Sequence, residues 1–207
     1  MLGGNYAQQG VSDRALSLLE EAYGADSTNL TYARALSAGY IEAGRMQDAL
    51  VINERLSEAD PEDDDVRYRL IQLYARTGEL KKGIQLATEL QKRFQPMPEA
   101  YGQLTKMKIQ LLALSKDSVA VGREYRAWAA LYPEDRRPYY DWILHLFQTG
   151  GAKEAEKQLA SDVRAGRISS GDATALRVHK YILQKDYPAA EAELVRLTPD
   201  KKIGADE

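Results

Sequence analysis

Apolar residues recur along this chain at three- and four-residue steps, in blocks broken by glycine and proline. Between residues 29 and 62, Leu36, Tyr40 and Ala43 share a helical face before Gly44, and Ala49, Leu50, Ile52 and Leu56 share one after it. This predicts two helices with a turn at Gly44, because the residue that ends a helix often takes a positive φ, which glycine adopts without a Cβ clash. Asp60-Pro61 closes the second helix, since proline cannot donate to the ladder and restricts the residue before it.

The block then repeats. A helix through Leu70, Leu73 and Tyr74 leads to Gly78, a second runs through Ile84, Leu86, Ala87 and Leu90, and Pro96 and Pro98 follow. Lined up at one constant offset, Leu2, Leu36 and Leu70 form a first column, and Tyr6, Tyr40 and Tyr74 a second. Gly10, Gly44 and Gly78 form a third, and Ala15, Ala49 and Gly83 a fourth. Columns held in phase mark an internal repeat of two-helix units, none of which can bury its apolar face without a neighbour.

Downstream, a fourth unit from Tyr101 and Leu104 has a long first helix and overruns the period by about three residues before Pro133. The fifth restores the phase with Trp142, Leu146, Gly150 and Ala155. The sixth supplies Tyr181 and Ala190 but has Lys185 where glycine is expected. The small residues Ala15, Ala49, Gly83, Ala155 and Ala190 are expected to let paired helices approach closely, with the Tyr and Leu columns filling the space between. The approximate units are 1–28, 29–62, 63–97, 98–134, 135–169 and 170–200, with 201–207 as a tail. Unit one begins inside its first helix and the tail "TPDKKIGADE" stops where another helix could start, so the chain reads as a piece of a longer array.

These residues resemble the tetratricopeptide repeat, a 34-residue helix-turn-helix unit with a Trp-x2-Leu-Gly-x2-Tyr, Ala-x3-Phe, Pro pattern. The second unit matches at Leu36, Ser37, Tyr40, Gly44, Ala49 and Pro61, with Ala33 in place of the Trp and Asn53 in place of the Phe. The third keeps Leu70, Tyr74 and Gly78, with Gly83 for the Ala and Ala87 for the Phe. The resemblance implies an all-α fold, a right-handed solenoid of about six such units over residues 1–207, from a bacterial protein. It also implies a concave groove lined by the first helices. Carried over by position, the groove residues are Arg34 and Glu42, then Asp65, Tyr68, Gln72 and Arg76, then Lys106 and Gln110, then Arg137, Tyr140, Leu144 and Phe147, and lastly His179. Aromatics mixed with arginine suit a binding surface. The carboxylate clamp of some family members is not reproduced: Arg34, Ala38 and Arg69 stand at its places, Asp65 replaces a lysine, and the asparagines are missing.

Composition narrows the function further. A net charge of -3 with 29% charged residues gives no basic footprint for nucleic acid. Absence of cysteine removes thiolate nucleophiles and cysteine-ligated metals; it suits an oxidising compartment, tilting localisation toward the periplasm without fixing it. No window approaches the length of apolar run that spans a membrane. His145 and His179 lie on different units without ligand partners at metal spacing, and His145 is expected to pack within a helix pair. The acidic run "EADPEDDD" at 58–65 reads as a solvated turn whose carboxylates favour the start of the next helix. No phosphate loop or nucleophile elbow is present. The expectation is a non-catalytic scaffold, without cofactor or metal, that binds a protein or peptide on its concave face. The alternative is the periplasmic repeat region of an exopolysaccharide export protein, guiding polymer or docking a polymer-modifying enzyme.

Overall fold

A computed structural model describes residues 3–197, with side chains over 13–196. Leu2, the side chain of Tyr6 and the tail 201–207 therefore lie outside the described residues. Within them the chain forms eleven helices and no strand: α1 (Gly3–Ala25), α2 (Leu30–Glu42), α3 (Met46–Ala59), α4 (Asp64–Thr77), α5 (Leu80–Arg93), α6 (Pro98–Leu114), α7 (Ser118–Leu131), α8 (Arg137–Gln148), α9 (Ala152–Arg164), α10 (Ser170–Leu183) and α11 (Tyr187–Leu197). They fall into two compact units, residues 1–118 and 119–207.

In the first unit each helix packs on the next, and α4 also meets α6, two places on. The helices of a pair are joined by only two or three residues, so they run antiparallel. Gly44, Gly78 and Gly150 hold φ of 73°, 82° and 84°, as the turn reading requires. At the first of these, Arg45 N donates to Tyr40 O at 2.8 Å and Gly44 N to Ile41 O at 3.1 Å, the double closure that satisfies the last carbonyls of a helix. Lys116 and Lys185 adopt the same left-handed backbone, at 61° and 58°, with Asp117 N bonded to Leu112 O and Asp186 N to Tyr181 O. The missing glycine of the sixth unit thus leaves the turn intact. In the fourth, buried Leu112 stands one repeat period after Gly78, so α6 continues to 17 residues where α2 has 13 and α4 has 14.

Unit one departs from its expected form. The chain runs as one helix through Gly10, and no turn forms there. A continuous helix keeps the backbone there bonded at about the 1 kcal/mol that an interior glycine costs. Ala15 is accordingly exposed, with no helix folded over it. The rest of the small column is buried: Ala49 and Ala155 at 0%, Ala190 at 6% and Gly83 with them. Helix contact is tight there, since a Cβ on Gly83 would stand 2.9 Å from a Leu111 methyl.

The acidic run behaves as a turn and cap. The Asp63 side chain accepts from Val66 N at 3.1 Å and caps α4, and it also pairs with Arg34 at 2.5 Å. Burial works against this carboxylate, but the Val66 and Asp65 amides and Arg34 outweigh it and hold its pKa below the ordinary aspartate value. Tyr40 and Tyr74 sit in the core at 9% and 8% exposure, consistent with packing columns. In the second unit, Ile143, Phe147, Leu159, Ile168 and Leu176 form the core. His145 lies between helices, its ring 5.8 Å from that of Trp142 and 6.1 Å from that of Tyr125, and burial lowers its pKa.

Candidate binding surface

First helices are buried along most of their circumference, which leaves a narrow stripe for solvent. On α4, Val66, Arg67, Leu70, Ile71, Leu73 and Tyr74 are buried, while Asp65, Gln72 and Arg76 are exposed and Arg69 half-exposed. These four follow at steps of four, three and four residues, one face of a helix. Helix α6 exposes Glu99, Gln103, Lys106 and Gln110 at the same steps, and α2 shows Thr31, Ala35, Ala38 and Glu42, with Ala35 half-buried. Each set lies one repeat period from the next. Since α4 packs on α6, their stripes adjoin as a ribbon with carboxylates at the helix starts and cations toward the ends, an order that complements the helix dipoles.

The sequence-derived groove is placed only partly on this ribbon. Gln72, Arg76, Lys106, Gln110, Glu42 and Asp65 lie on it, and Arg76 also reaches Met46 Sδ at 3.9 Å. Arg34 is engaged by Asp63 instead. Tyr68 is half-buried against the core shared by α4, α5 and α6, its ring 6.3 Å from that of Phe94, and burial raises its pKa. The ribbon adds Arg69, Glu99 and Gln103, which positional carry-over missed. A scan for polar residues that recur at the period of the array would have found them.

In the second unit the expected groove is largely structural. Phe147 is 8% exposed and belongs to the core, and Leu144 packs against that core. Arg137 binds Asp135 at 2.9 Å and stands 5.6 Å from the Trp128 ring centre, with the Trp128 indole donating to the same carboxylate at 3.1 Å. Tyr140 is half-buried; burial, and the Asp172 carboxylate that accepts from its hydroxyl, push its pKa up to about 12. No residue of α8 from Arg137 to Phe147 is exposed, so this helix shows no stripe. His179 is exposed on α10, on a line with Gly171 and Ala175.

Three clefts open between second helices. One, of about 220 Å³, lies over Leu70 and Tyr74 between α3 and α5; another, of about 550 Å³, lies over Leu30 and Ala33 between α1 and α3. The third, of about 90 Å³, lies over Tyr139 and Trp142 between α7 and α9. None of these three is lined by a ribbon residue. At the first, Tyr74 Oη donates to Glu54 at 2.9 Å, and Lys82 Nζ bonds Glu54 at 3.0 Å and Glu79 at 2.7 Å. Burial, and the Glu54 carboxylate that accepts from its hydroxyl, lift the Tyr74 pKa to about 12 against the opposing charge of Lys82. Among the described residues no three His, Asp or Glu side chains converge to hold a metal, and no helix is long and apolar enough to cross a membrane.

Residues 40–106 match the family model of the tetratricopeptide repeat. No curated protein matches the sequence. Among solved structures, a tetratricopeptide repeat protein from Parabacteroides merdae is similar at 17% identity and a TM-score of 0.55, over 98% of this chain and 77% of its own. YrrB, described as a TPR protein with an unusual peptide-binding site, aligns at 15% identity and a TM-score of 0.45, over 90% of this chain and 95% of its own. Residues 40–106 therefore match the tetratricopeptide repeat by sequence, and the chain as a whole shares the fold of a tetratricopeptide repeat protein.

Proposed function

We propose that this chain is a non-catalytic scaffold that holds a protein or peptide segment along the ribbon of α4 and α6. The supporting observation is the register: α4 and α6 turn the same four positions toward solvent, one repeat period apart, with buried residues between them that fix their direction. A surface of this kind binds through exposed groups that contribute little to folding, so recognition and stability are separable. Charge disposition gives polarity. A partner with carboxylates facing Arg69, Arg76 and Lys106, and basic groups facing Asp65 and Glu99, would be held in one direction.

A photo-crosslinking residue placed at Gln72 or Gln110 tests this against one at Val51, which is 43% exposed on α3. Capture of a native partner from the ribbon positions and not from Val51 is the expected result. Capture from Val51 with none from Gln72 or Gln110 would overturn it.

A further inference from the structure

The cleft between α7 and α9 has a composition the other two lack. Its wall is mostly apolar, with Tyr125, Ala129, Tyr139 and Trp142 around about 90 Å³ of open space. The rings are already fixed. Tyr125 is buried and meets Trp142 at 5.5 Å between ring centres, His145 stacks on Trp142, and Arg167 stands 5.4 Å from the Tyr139 ring centre. Trp142 is seated by a glycine: a Cβ on Gly122 of α7 would come within 3.2 Å of its Cη2 atom. Such rigid aromatic walls lose little entropy when a side chain enters.

Two polar residues line the cleft. Gln158 is committed, its amide donating to both Asp162 oxygens at 3.2 and 3.1 Å. Arg126 is exposed and has no carboxylate partner among the described residues, and neither has Arg123, one turn back on α7. Asp141 acts on Tyr125 from α8 but is not part of the wall. The Arg126 guanidinium at the mouth repels cationic side chains and favours carboxylates, and the mostly apolar wall leaves the hydroxyls of a sugar short of partners.

From this charge and shape we infer that the α7–α9 cleft is a recognition pocket for one branched aliphatic side chain of a partner peptide, flanked by carboxylates that meet Arg126. All its residues belong to the second unit, so the inference does not rest on the ribbon of the first.

The two tryptophans make the test direct. Trp142 lines the cleft, whereas Trp128 is fully buried with its indole on Asp135, so the two indole N–H signals in an NMR spectrum serve as probe and control. Titration with acetyl-Glu-Leu-Asp-amide should shift the Trp142 signal saturably and leave Trp128 still. Acetyl-Lys-Leu-Lys-amide should bind at least about fivefold more weakly. Arg126→Glu should abolish or reverse that preference, and Ala129→Leu, which fills the cleft, should remove the response. Should Ala129→Leu fail to fold, the exposed Arg126→Glu still decides. A Trp142 signal unmoved by the acidic peptide, an equal response to the basic one, a preference unchanged in Arg126→Glu, or a shift produced only by chitotriose would overturn the inference.

Discussion

Gly83→Ala sets two measurable effects against each other. In the middle of a helix the change to alanine is worth about 1 kcal/mol in favour of folding, because alanine loses less backbone entropy than glycine. At this position a Cβ would stand 2.9 and 3.0 Å from the two Leu111 methyls and 3.1 Å from Tyr74 Cβ, where carbon atoms rest comfortably at about 3.5–4.0 Å. Leu111 is 0% exposed and cannot swing its methyls into solvent, and Tyr74 Cβ is fixed to the backbone of α4. Relief requires α5 to move off its neighbours by about half an ångström, and overpacking of this kind costs about 1–3 kcal/mol. We therefore expect a net loss of about 1 kcal/mol, a fall in Tm of about 2–4 °C.

A double-mutant cycle in urea checks the mechanism as well as the sign. Leu111→Ala alone should cost about 2–5 kcal/mol through its cavity. In that background the methyls are gone, and Gly83→Ala should become neutral or stabilising, a coupling of about 1–2 kcal/mol between the sites. A Gly83→Ala protein that gains about 1 kcal/mol, or two changes that simply add, would refute the claim that this column sets how closely the helices approach.

Three further outcomes follow from the same structure. Lys116→Gly and Lys185→Gly should each raise stability, by up to about 1 kcal/mol in chemical denaturation, because side chains at positive φ are strained, whereas Gly44→Val and Gly78→Val should lower it by more than about 1 kcal/mol. Phe147→Ala should cost about 3–5 kcal/mol, while Arg76→Ala should leave the urea midpoint nearly unchanged; equal effects would contradict the burial assigned to them. His145, its pKa lowered by burial, should contribute stability that is fully present above its unfolded pKa near 6.5, declines as pH falls through the folded value, and levels off below it; His145→Gln should flatten that part of the stability profile.

The parts legible in the sequence were those that depend on local backbone chemistry. Gly44, Gly78 and Gly150 announce turns because few other residues take positive φ cheaply, and the buried Tyr40 and Tyr74 are marked by their period. The continuous helix through Gly10 was not legible, since a glycine signals a turn only where the flanking segments have something to pack against. Nor was the surface. Positional carry-over placed Phe147 and Leu144 in a groove, but which side of α8 is covered depends on what packs around it, information carried by distant residues such as Ile168 and Leu176. Arg34 and Arg137 were placed in the groove by position, yet each is engaged by an aspartate that comes within reach only once the chain turns at Asp63 or Asp135.

The same repeat produces two kinds of surface, and packing geometry explains the division of labour. Within the first unit, α4 is packed by the helices before and after it and by α6, so its exposed positions are few and lie on one stripe, at Asp65, Gln72 and Arg76 beside half-exposed Arg69. Second helices part over the first and leave clefts whose walls are themselves core residues, such as Tyr74 and Tyr125. If the ribbon and the cleft bind as proposed, substitution on the ribbon would alter recognition and spare stability, and substitution in a cleft wall would alter both. On that proposal, specificity would be tuned on the ribbon by exchange of exposed side chains, whereas the cleft would be tuned only at its mouth, at residues like Arg126, or by plugging it at a small one like Ala129.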